Sequence, residues 1–224
     1  MHSKWLPWIR NMTDDNLVNK VLEVYPVKMF LKGEHIFEQG EISNKFYLLL
    51  EGRLEIIVFN NEGKKKILAI HEPKCFFGEI IFDGEPRPTS AVCLTNVQVA
   101  VLDTSLQLGS EYYEKELFKT LLILNSFKMR THIRQISEHV FDDVEDRIEK
   151  LLFGLCNNFG EERGEYIQVN LPVTQQLLAD VVGCSRVRVS QILCDISNKN
   201  KIKIERNKIF FFKDKTGSDS ELKY

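Results

Sequence analysis

The sequence predicts an α+β fold made of a β-rich jelly roll, one long helix and a small domain that combines helices with strands. Three observations support this order. Residues 27–102 consist of short β-rich runs cut by Gly, Asn and Pro, residues 111–141 contain no Gly or Pro, and residues 171–193 carry two short helical patterns around Gly183. Such a change of hydrophobic period along a chain marks a change of architecture. We place the three parts at residues 1–110, 111–142 and 143–224.

The overall composition is that of an ordinary globular protein. Of the 224 residues, 43% are hydrophobic and 28% are charged, which excludes a largely disordered or fibrous chain. The 30 Lys and Arg almost balance the 32 Asp and Glu, so net charge alone does not indicate nucleic acid, although separate domains can carry opposite charges. The five cysteines are scattered, and the sequence has neither an export signal nor an apolar run of ~18 residues. We therefore expect reduced thiols and a soluble protein of the cytoplasm, with no membrane partner.

The first part begins with a short helix, for which Thr13 is the expected N-cap. Strands are expected after it at residues 35–37, 45–50, 53–59, 65–70, 90–94 and 97–102. Turn signals that contain Gly separate most of these runs. Many short strands at this spacing indicate a β-sandwich or jelly roll.

Residues 111–141 are expected to form one helix with two apolar stripes. The first is a heptad seam whose members are alternately four and three residues apart: Leu122, Ser126, Met129, Ile133, Ile136 and Val140. The second lies on a neighbouring face and consists of Leu117, Leu121 and Leu124. Such a helix can pack on its own β domain and also on a second copy of itself. We expect the apolar seam residues to form a dimer interface; the alternative is a helix buried wholly within one core.

The third part carries the most informative pattern. Residues 157–164 are expected to be turn-rich, and the segment 171–193 follows them. Thr174 can cap a first helix, Gly183 suits a turn with positive φ, and Ser185 can cap a second helix. These residue types at these offsets indicate a helix-turn-helix, with an ordinary αα-hairpin as the alternative.

Helical phase divides the side chains of the second helix into two faces. The face expected in the core carries Val189, Ile192, Leu193 and Ile196. The opposite face carries Val187, Gln191, Cys194 and Asn198, and Arg186 and Arg188 lie near the N-terminus. Arg can pair with guanine, Gln with adenine, and Val with a thymine methyl group. The residues expected to contact DNA are Thr174, Gln175, Ser185, Arg186, Val187, Arg188, Gln191 and Lys208.

Local charge and a predicted hairpin agree with a nucleic-acid interface. Between Tyr166 and Lys215, nine Lys and Arg exceed four Asp and Glu by five. Residues 201–212 are expected to form a β-hairpin that turns at Arg206–Asn207. Such a wing places basic side chains where they can contact phosphates.

Two regions of the chain resemble one bacterial family. Val182–Arg186, together with Val189 and Ile192–Leu193, is similar to the helix-turn-helix of the cyclic-AMP receptor protein and Fnr (Crp/Fnr) family of transcription regulators. The effector-binding β-roll of that family is resembled by residues 30–40, 46–52 and 77–80. The resemblance implies a cupin-like β-roll, a dimerisation helix and a C-terminal winged helix-turn-helix. It also implies a homodimer that binds a palindromic operator in double-stranded DNA and works with RNA polymerase.

The resemblance also implies an effector pocket in which a Gly-Glu pair holds a ribose and an Arg with a hydroxyl residue holds a phosphate. The matching residues are Gly78, Glu79, Ile80, Arg87, Thr89 and Ser90, with Thr131 and His132 on the long helix. The match is incomplete, because Pro88 separates Arg87 from the hydroxyl residues and removes a backbone donor. The identity of the effector is therefore left open: the pocket can bind cyclic AMP, bind another small anionic effector, or bind no effector. Glu79 and Arg87 can instead form a structural ion pair.

Other functions are less well supported by the sequence. An iron–sulfur sensor needs N-terminal cysteines, which residues 1–74 lack, and His35 and His71 are expected to be surface or turn histidines rather than haem ligands. A cupin-type metalloenzyme needs a His-x-His pair, and the sequence has none. A cyclic-nucleotide-binding module that scaffolds a partner is a further alternative. We predict an effector-controlled DNA-binding regulator that is not an enzyme and holds no metal, and whether it activates or represses is left open.

Overall fold

A computed structural model describes residues 6–105, 108–205 and 208–212. The described residues form two compact units, one spanning Pro7–Arg134 and the other containing the residues from Gln135 onward together with Leu6. The first unit contains β1 (Trp8–Ile9), α1 (Asp15–Val24), β2 (Val27–Phe30), β3 (His35–Phe37), β4 (Lys45–Glu51), β5 (Leu54–Phe59), β6 (Lys65–His71), β7 (Cys75–Phe77), β8 (Ser90–Cys93), β9 (Val97–Asp103) and most of α2 (Glu111–Phe141). The second contains the end of α2, α3 (Val144–Phe159), β10 (Gly160–Arg163), β11 (Tyr166–Val169), α4 (Gln175–Val182), α5 (Arg186–Asn198), β12 (Ile202–Glu205) and β13 (Lys208–Phe212).

The strands of the first unit form two sheets. Their orders are β1-β6-β5-β8-β3 and β2-β9-β4-β7. The strand pairs are antiparallel except for β1 with β6. The expected β-roll and the long helix are confirmed, and α2 begins and ends where the absence of Gly and Pro predicts.

Strand β4 separates two hydrophobic cores. Tyr47 and Leu49 belong to a cluster that includes Leu54 of the other sheet. Phe46 and Leu48 belong to a second cluster, which includes buried residues of α1 and α2. Because successive side chains of a strand point to opposite faces, β4 is buried on both sides. The helices therefore cover one sheet of the jelly roll.

The expectation for the start of α1 is wrong. Its N-cap is Asp14, whose carboxylate accepts a 2.9 Å hydrogen bond from the Leu17 N–H, while Thr13 is buried. A carboxylate at this position also complements the positive end of the helix dipole.

The expected turn-rich stretch 157–164 is also wrong, since α3 continues to Phe159 and β10 follows it directly. β10 pairs with β11 and extends an antiparallel sheet in the order β10-β11-β13-β12. The residues of β10 are all exposed and give no apolar alternation from which a strand could be predicted. The short strands β1, β2 and β7 were likewise not expected from the sequence.

No helix among the described residues is long and apolar enough to cross a bilayer.

Candidate functional site

The first unit contains a cavity of about 50 Å³. Its walls come from β3, β5, β6, β7, the segment 78–89 and helix α2. Six of the predicted effector residues lie on its wall: Gly78, Glu79, Ile80, Arg87, Thr89 and His132. The remaining wall is formed by Phe37, Ile56, Leu68, Ala69, His71, Phe77, Pro88 and Lys128.

Glu79 forms an ion pair with helix α2 rather than with Arg87. Its carboxylate lies 2.7 Å from the Lys128 ammonium, and the two side chains are 3% and 12% exposed. Lys128 Nζ also donates to the Phe76 carbonyl at 3.3 Å. The ion pair that the sequence allowed between Glu79 and Arg87 is thus replaced by one that joins the β-roll to α2.

Arg87 is buried, and its guanidinium donates hydrogen bonds to two backbone carbonyls. Its Nη1 donates to the Gly78 carbonyl at 3.1 Å and its Nη2 donates to the Lys45 carbonyl. The guanidinium lies over the Phe37 ring at 4.0 Å from the ring centre, a cation–π geometry. Burial lowers the pKa of Arg87. Its Nε is buried without a hydrogen-bond partner among the described residues.

Ser90 and Thr131 do not lie on the described wall of the cavity. The Ser90 hydroxyl accepts a 2.9 Å hydrogen bond from the Gln39 N–H. The Thr131 hydroxyl donates to the Phe127 carbonyl at 3.1 Å, the usual bond of a helical Thr to the residue four positions earlier. His132, not Thr131, is therefore the residue of this pair that α2 presents to the cavity.

His71 is wrongly placed by the sequence prediction. It is completely buried in β6, where its ring makes a T-shaped contact with Phe77, and neither ring nitrogen has a hydrogen-bond partner among the described residues. Burial, with a smaller contribution from Lys128, lowers its pKa well below the usual range. Simple alternation does not mark His71 as inward, because Ala69, Ile70 and His71 are all buried and the pairing of β6 with β5 shifts register between Ile67 and Ala69.

The predicted seam of α2 is exposed in the single chain. Its five apolar residues, Leu122, Met129, Ile133, Ile136 and Val140, are between 58% and 69% exposed. The second stripe is buried in the core with α1 and β4. The helix therefore uses one apolar stripe inside its own unit and leaves the other uncovered.

The local geometry of the helix-turn-helix agrees with the expectations. The Thr174 hydroxyl accepts from the Leu177 N–H at 3.1 Å, and the Ser185 hydroxyl accepts from the Arg188 N–H at 3.2 Å. Gly183 has a φ of +79°, the left-handed conformation that ends α4. These caps fix the angle at which α5 leaves α4.

Helix α5 has the two faces that its phase predicts. Val189, Ile192, Leu193 and Ile196 are buried. The exposed side chains include Arg186, Val187, Arg188, Gln191 and Cys194. The predicted DNA contacts Thr174, Gln175 and Arg186 share a second cavity, of about 370 Å³, with residues of β12 and β13. The turn residues Arg206 and Asn207 lie outside the described residues.

The basic charge of this unit is partly neutralised. Three lysines form ion pairs with glutamates: Lys199 with Glu145 at 3.4 Å, Lys201 with Glu149 at 3.2 Å and Lys203 with Glu205 at 2.6 Å. Among the described residues, no ion pair joins Arg186, Arg188 or Lys208 to an acidic side chain. Two arginines at the start of α5 and one lysine of the wing therefore carry positive charge that no acidic side chain among the described residues pairs with.

Comparison with known proteins gives two family matches along the chain. Residues 27–106 match the cyclic nucleotide-binding domain and residues 146–215 match the Crp-like helix-turn-helix domain. A CRP-like cAMP-activated global transcriptional regulator of Mycobacterium tuberculosis is 29% identical over 86% of this chain and 84% of its own.

An anaerobic regulatory protein of Bacillus subtilis is 30% identical over 79% of this chain and 75% of its own. Among solved structures, the c-di-GMP responsive global regulator CLP of Xanthomonas campestris has the same fold, with a TM-score of 0.79 and 19% identity over 89% of this chain and 99% of that one. The resemblance predicted from the sequence is confirmed, and the chain belongs to the Crp/Fnr family of transcription regulators.

Proposed function

We propose that this regulator is a homodimer that binds a palindromic operator in cytoplasmic DNA under the control of a small-molecule effector. The observation that carries the proposal is the exposed N-terminal half of α5, where Arg186, Val187, Arg188 and Gln191 project from a helix whose opposite face is buried. This is the arrangement of a recognition helix in the major groove. Catalysis is not part of the proposal.

The exposed residues divide by chemistry into two groups. Arg186 and Gln191 carry side chains that can pair with guanine and adenine, and Val187 suits a thymine methyl group. Arg188 and Lys208 carry positive charge for phosphates, which fixes the register of the protein on the duplex. The residues at the two helix starts can donate to phosphate oxygens. The hydroxyls of Thr174 and Ser185 accept from an N–H as caps but still have their own proton to donate, and the side-chain amide of Gln175 has two N–H donors.

The uncovered seam of α2 supports the homodimer. Two chains that pair through it would each present one α5, and a twofold protein matches a palindromic site with half-sites about one helical turn apart. RNA polymerase is the proposed partner at the promoter, as in other regulators of transcription initiation.

The cavity supports control by an effector because two elements share it. Glu79 belongs to the β-roll, while Lys128 and His132 belong to α2. A ligand that competes for either member of the Glu79–Lys128 pair would change how α2 is held against the β-roll. The described cavity is smaller than the roughly 300 Å³ of typical ligand pockets, so a cyclic nucleotide would have to open it.

Selection from a random pool of duplex oligonucleotides, followed by fluorescence anisotropy, tests the proposal. We expect a palindromic sequence and a clear loss of affinity in Arg186→Ala. Lys64→Ala removes the same unit of charge from an exposed side chain of the other compact unit and should bind like the wild type. Failure to select any sequence, with and without candidate effectors, would contradict the proposed function. Equal losses of affinity in Arg186→Ala and Lys64→Ala would show that Arg186 contributes only its charge and does not read a base.

A further inference from the structure

The side chain of Leu6 is anchored in the second unit. Leu6 is 8% exposed and belongs to that unit together with the residues from Gln135 onward. It lies on Gly154 in the interior of α3, where an added Cβ would come within 2.6 Å of Leu6 Cδ2. Glycine inside a helix is destabilising relative to alanine, so a buried helical glycine needs a packing reason. The space that Leu6 occupies on α3 supplies that reason.

The backbone of residues 7–12 is anchored in the first unit. Four backbone hydrogen bonds join this stretch to residues 70–74, with N···O distances between 2.6 and 3.1 Å. The pairing of β1 with β6 belongs to this set. The side chain of Ile9 is 1% exposed and lies in the core that contains buried residues of α1 and α2. Residues 7–12 therefore follow any movement of β6.

The two anchors follow each other directly along the chain. Leu6 and Pro7 are consecutive, so their Cα atoms are ~3.8 Å apart and no slack separates the anchor on α3 from the first hydrogen bond to β6. Proline also fixes its own φ at about −65°, which stiffens the joint. We call residues 6–12 the strap.

Strand β6 connects the strap to the effector cavity. Leu68, Ala69 and His71 of β6 lie on the cavity wall. The strap pairs with the same strand at Ile70 and His71. A ligand that shifts β6 would therefore act on Leu6, and a shift of α3 would act on β6.

We propose that the strap transmits the state of the effector cavity to the second unit, which carries the helix-turn-helix, and does so alongside α2. The proposal rests on the proposed function, since it names a route by which an effector could act on DNA binding. Coupling between two binding sites is reciprocal. Binding of DNA to the second unit should therefore change the pairing of β1 with β6.

Amide hydrogen exchange of the full-length protein, followed by NMR, tests the proposal. The N–H groups of Ile70 and Glu72 donate to the Pro7 and Ile9 carbonyls at 2.6 and 2.9 Å, so their exchange reports whether the strap is in place. Successive N–H groups of a strand point to opposite edges, so the His71 N–H points to β5 and serves as the internal reference.

Gly154→Ala should raise the exchange rates of the Ile70 and Glu72 amides roughly tenfold or more, because the added methyl group displaces Leu6 from α3. Leu6→Ala should have the same effect from the other side of this contact. The matched control is Asn157→Ala, at an exposed position of the same helix, which should leave both amides unchanged. Unchanged exchange of Ile70 and Glu72 in Gly154→Ala or Leu6→Ala would overturn the proposal, and so would an equal rise at the reference amide.

The duplex obtained by the selection described above provides the second measurement. Its binding should change the exchange of Ile70 and Glu72 in the wild type and leave it unchanged in Leu6→Ala. Unchanged exchange in the wild type on DNA binding would show that the strap transmits nothing. Failure to select any duplex would remove the proposed function and the transmission with it, but not the anchor of Leu6 that exchange in Gly154→Ala measures.

Discussion

The exposed seam of α2 gives the most demanding prediction. Replacing both Met129 and Ile136 by Glu should convert the dimer into monomers. These two side chains are 61% and 64% exposed in the single chain. Full burial of such a side chain contributes about 1.5–3 kcal/mol, so covering the exposed part contributes about 1–2 kcal/mol each.

Both chains of a dimer lose both side chains, which amounts to about 4–8 kcal/mol of lost burial. At ~1.4 kcal/mol per factor of ten, the dimer would dissociate about three to six orders of magnitude more readily. The four carboxylates that replace them would add a desolvation penalty. Tight operator binding should disappear with the dimer, because the two half-sites would no longer be bound by one particle.

Sedimentation velocity over a range of protein concentrations measures the dissociation, and anisotropy with operator DNA measures its consequence. The matched control is Met29→Glu with Ile42→Glu, which makes the same chemical changes at two exposed positions away from the seam. A monomeric wild type at micromolar concentration, or a Met129→Glu, Ile136→Glu variant that stays dimeric, would refute the assignment of the seam.

Three further predictions address the recognition helix, Arg87 and His71. Arg186→Ala should cost about 1–3 kcal/mol and relax one base position, whereas Lys208→Ala should weaken all DNA alike and reduce the salt slope by about one; a selected TGTGA half-site would contradict the roles given to Val187 and Gln191. Arg87→Ala should lower the free energy of unfolding by about 2–4 kcal/mol in urea titrations, because the carbonyls of Gly78 and Lys45 lose a charged donor, and should weaken any phosphate-bearing ligand by about 2 kcal/mol or more; wild-type stability would show that these two hydrogen bonds do not stabilise the fold. His71 has a lowered pKa in the folded state, so below pH ~6.5 the unfolded chain binds the additional proton and stability falls by up to about 1.4 kcal/mol per pH unit. The acid slope should decrease by about one proton in His71→Leu but not in His35→Leu, and an unchanged slope would mean that His71 is protonated in the folded state.

The parts of the fold that sequence predicts well are those fixed by local chemistry. Helix α2 follows from a stretch without Gly or Pro, and the helix-turn-helix follows from Thr174, Gly183 and Ser185, each of which acts within three or four residues. Strands without an alternation of apolar and polar residues were not predicted: β1 has only two residues, and β10 has no buried side chain. β1 pairs with β6, about 60 residues further along the chain, whereas β10 pairs with the neighbouring β11 but has no apolar side chain to reveal it.

The sequence predicts which residues line the effector cavity but not which of them pair with one another. Family resemblance brought Glu79 and Arg87 to the site, where both lie. The partner of Glu79 is 49 residues away on α2, and nothing local distinguishes Lys128 from the other lysines of that helix. His71 was misplaced because no alternation marks its direction: Ile70 is buried beside it, and the pairing of β6 with β5 shifts register between Ile67 and Ala69.

The two-sided burial of β4 has a consequence for how the chain is made. The match to the cyclic nucleotide-binding domain ends at residue 106, yet Leu117, Leu121 and Leu124 complete the core that contains Phe46 and Leu48. A fragment that stops at residue 110 would leave one sheet face open to water and prone to self-association. During synthesis, the β-roll therefore cannot finish folding until Leu124 has left the ribosome, and the nascent sheet is most exposed to chaperones and proteases just before that point.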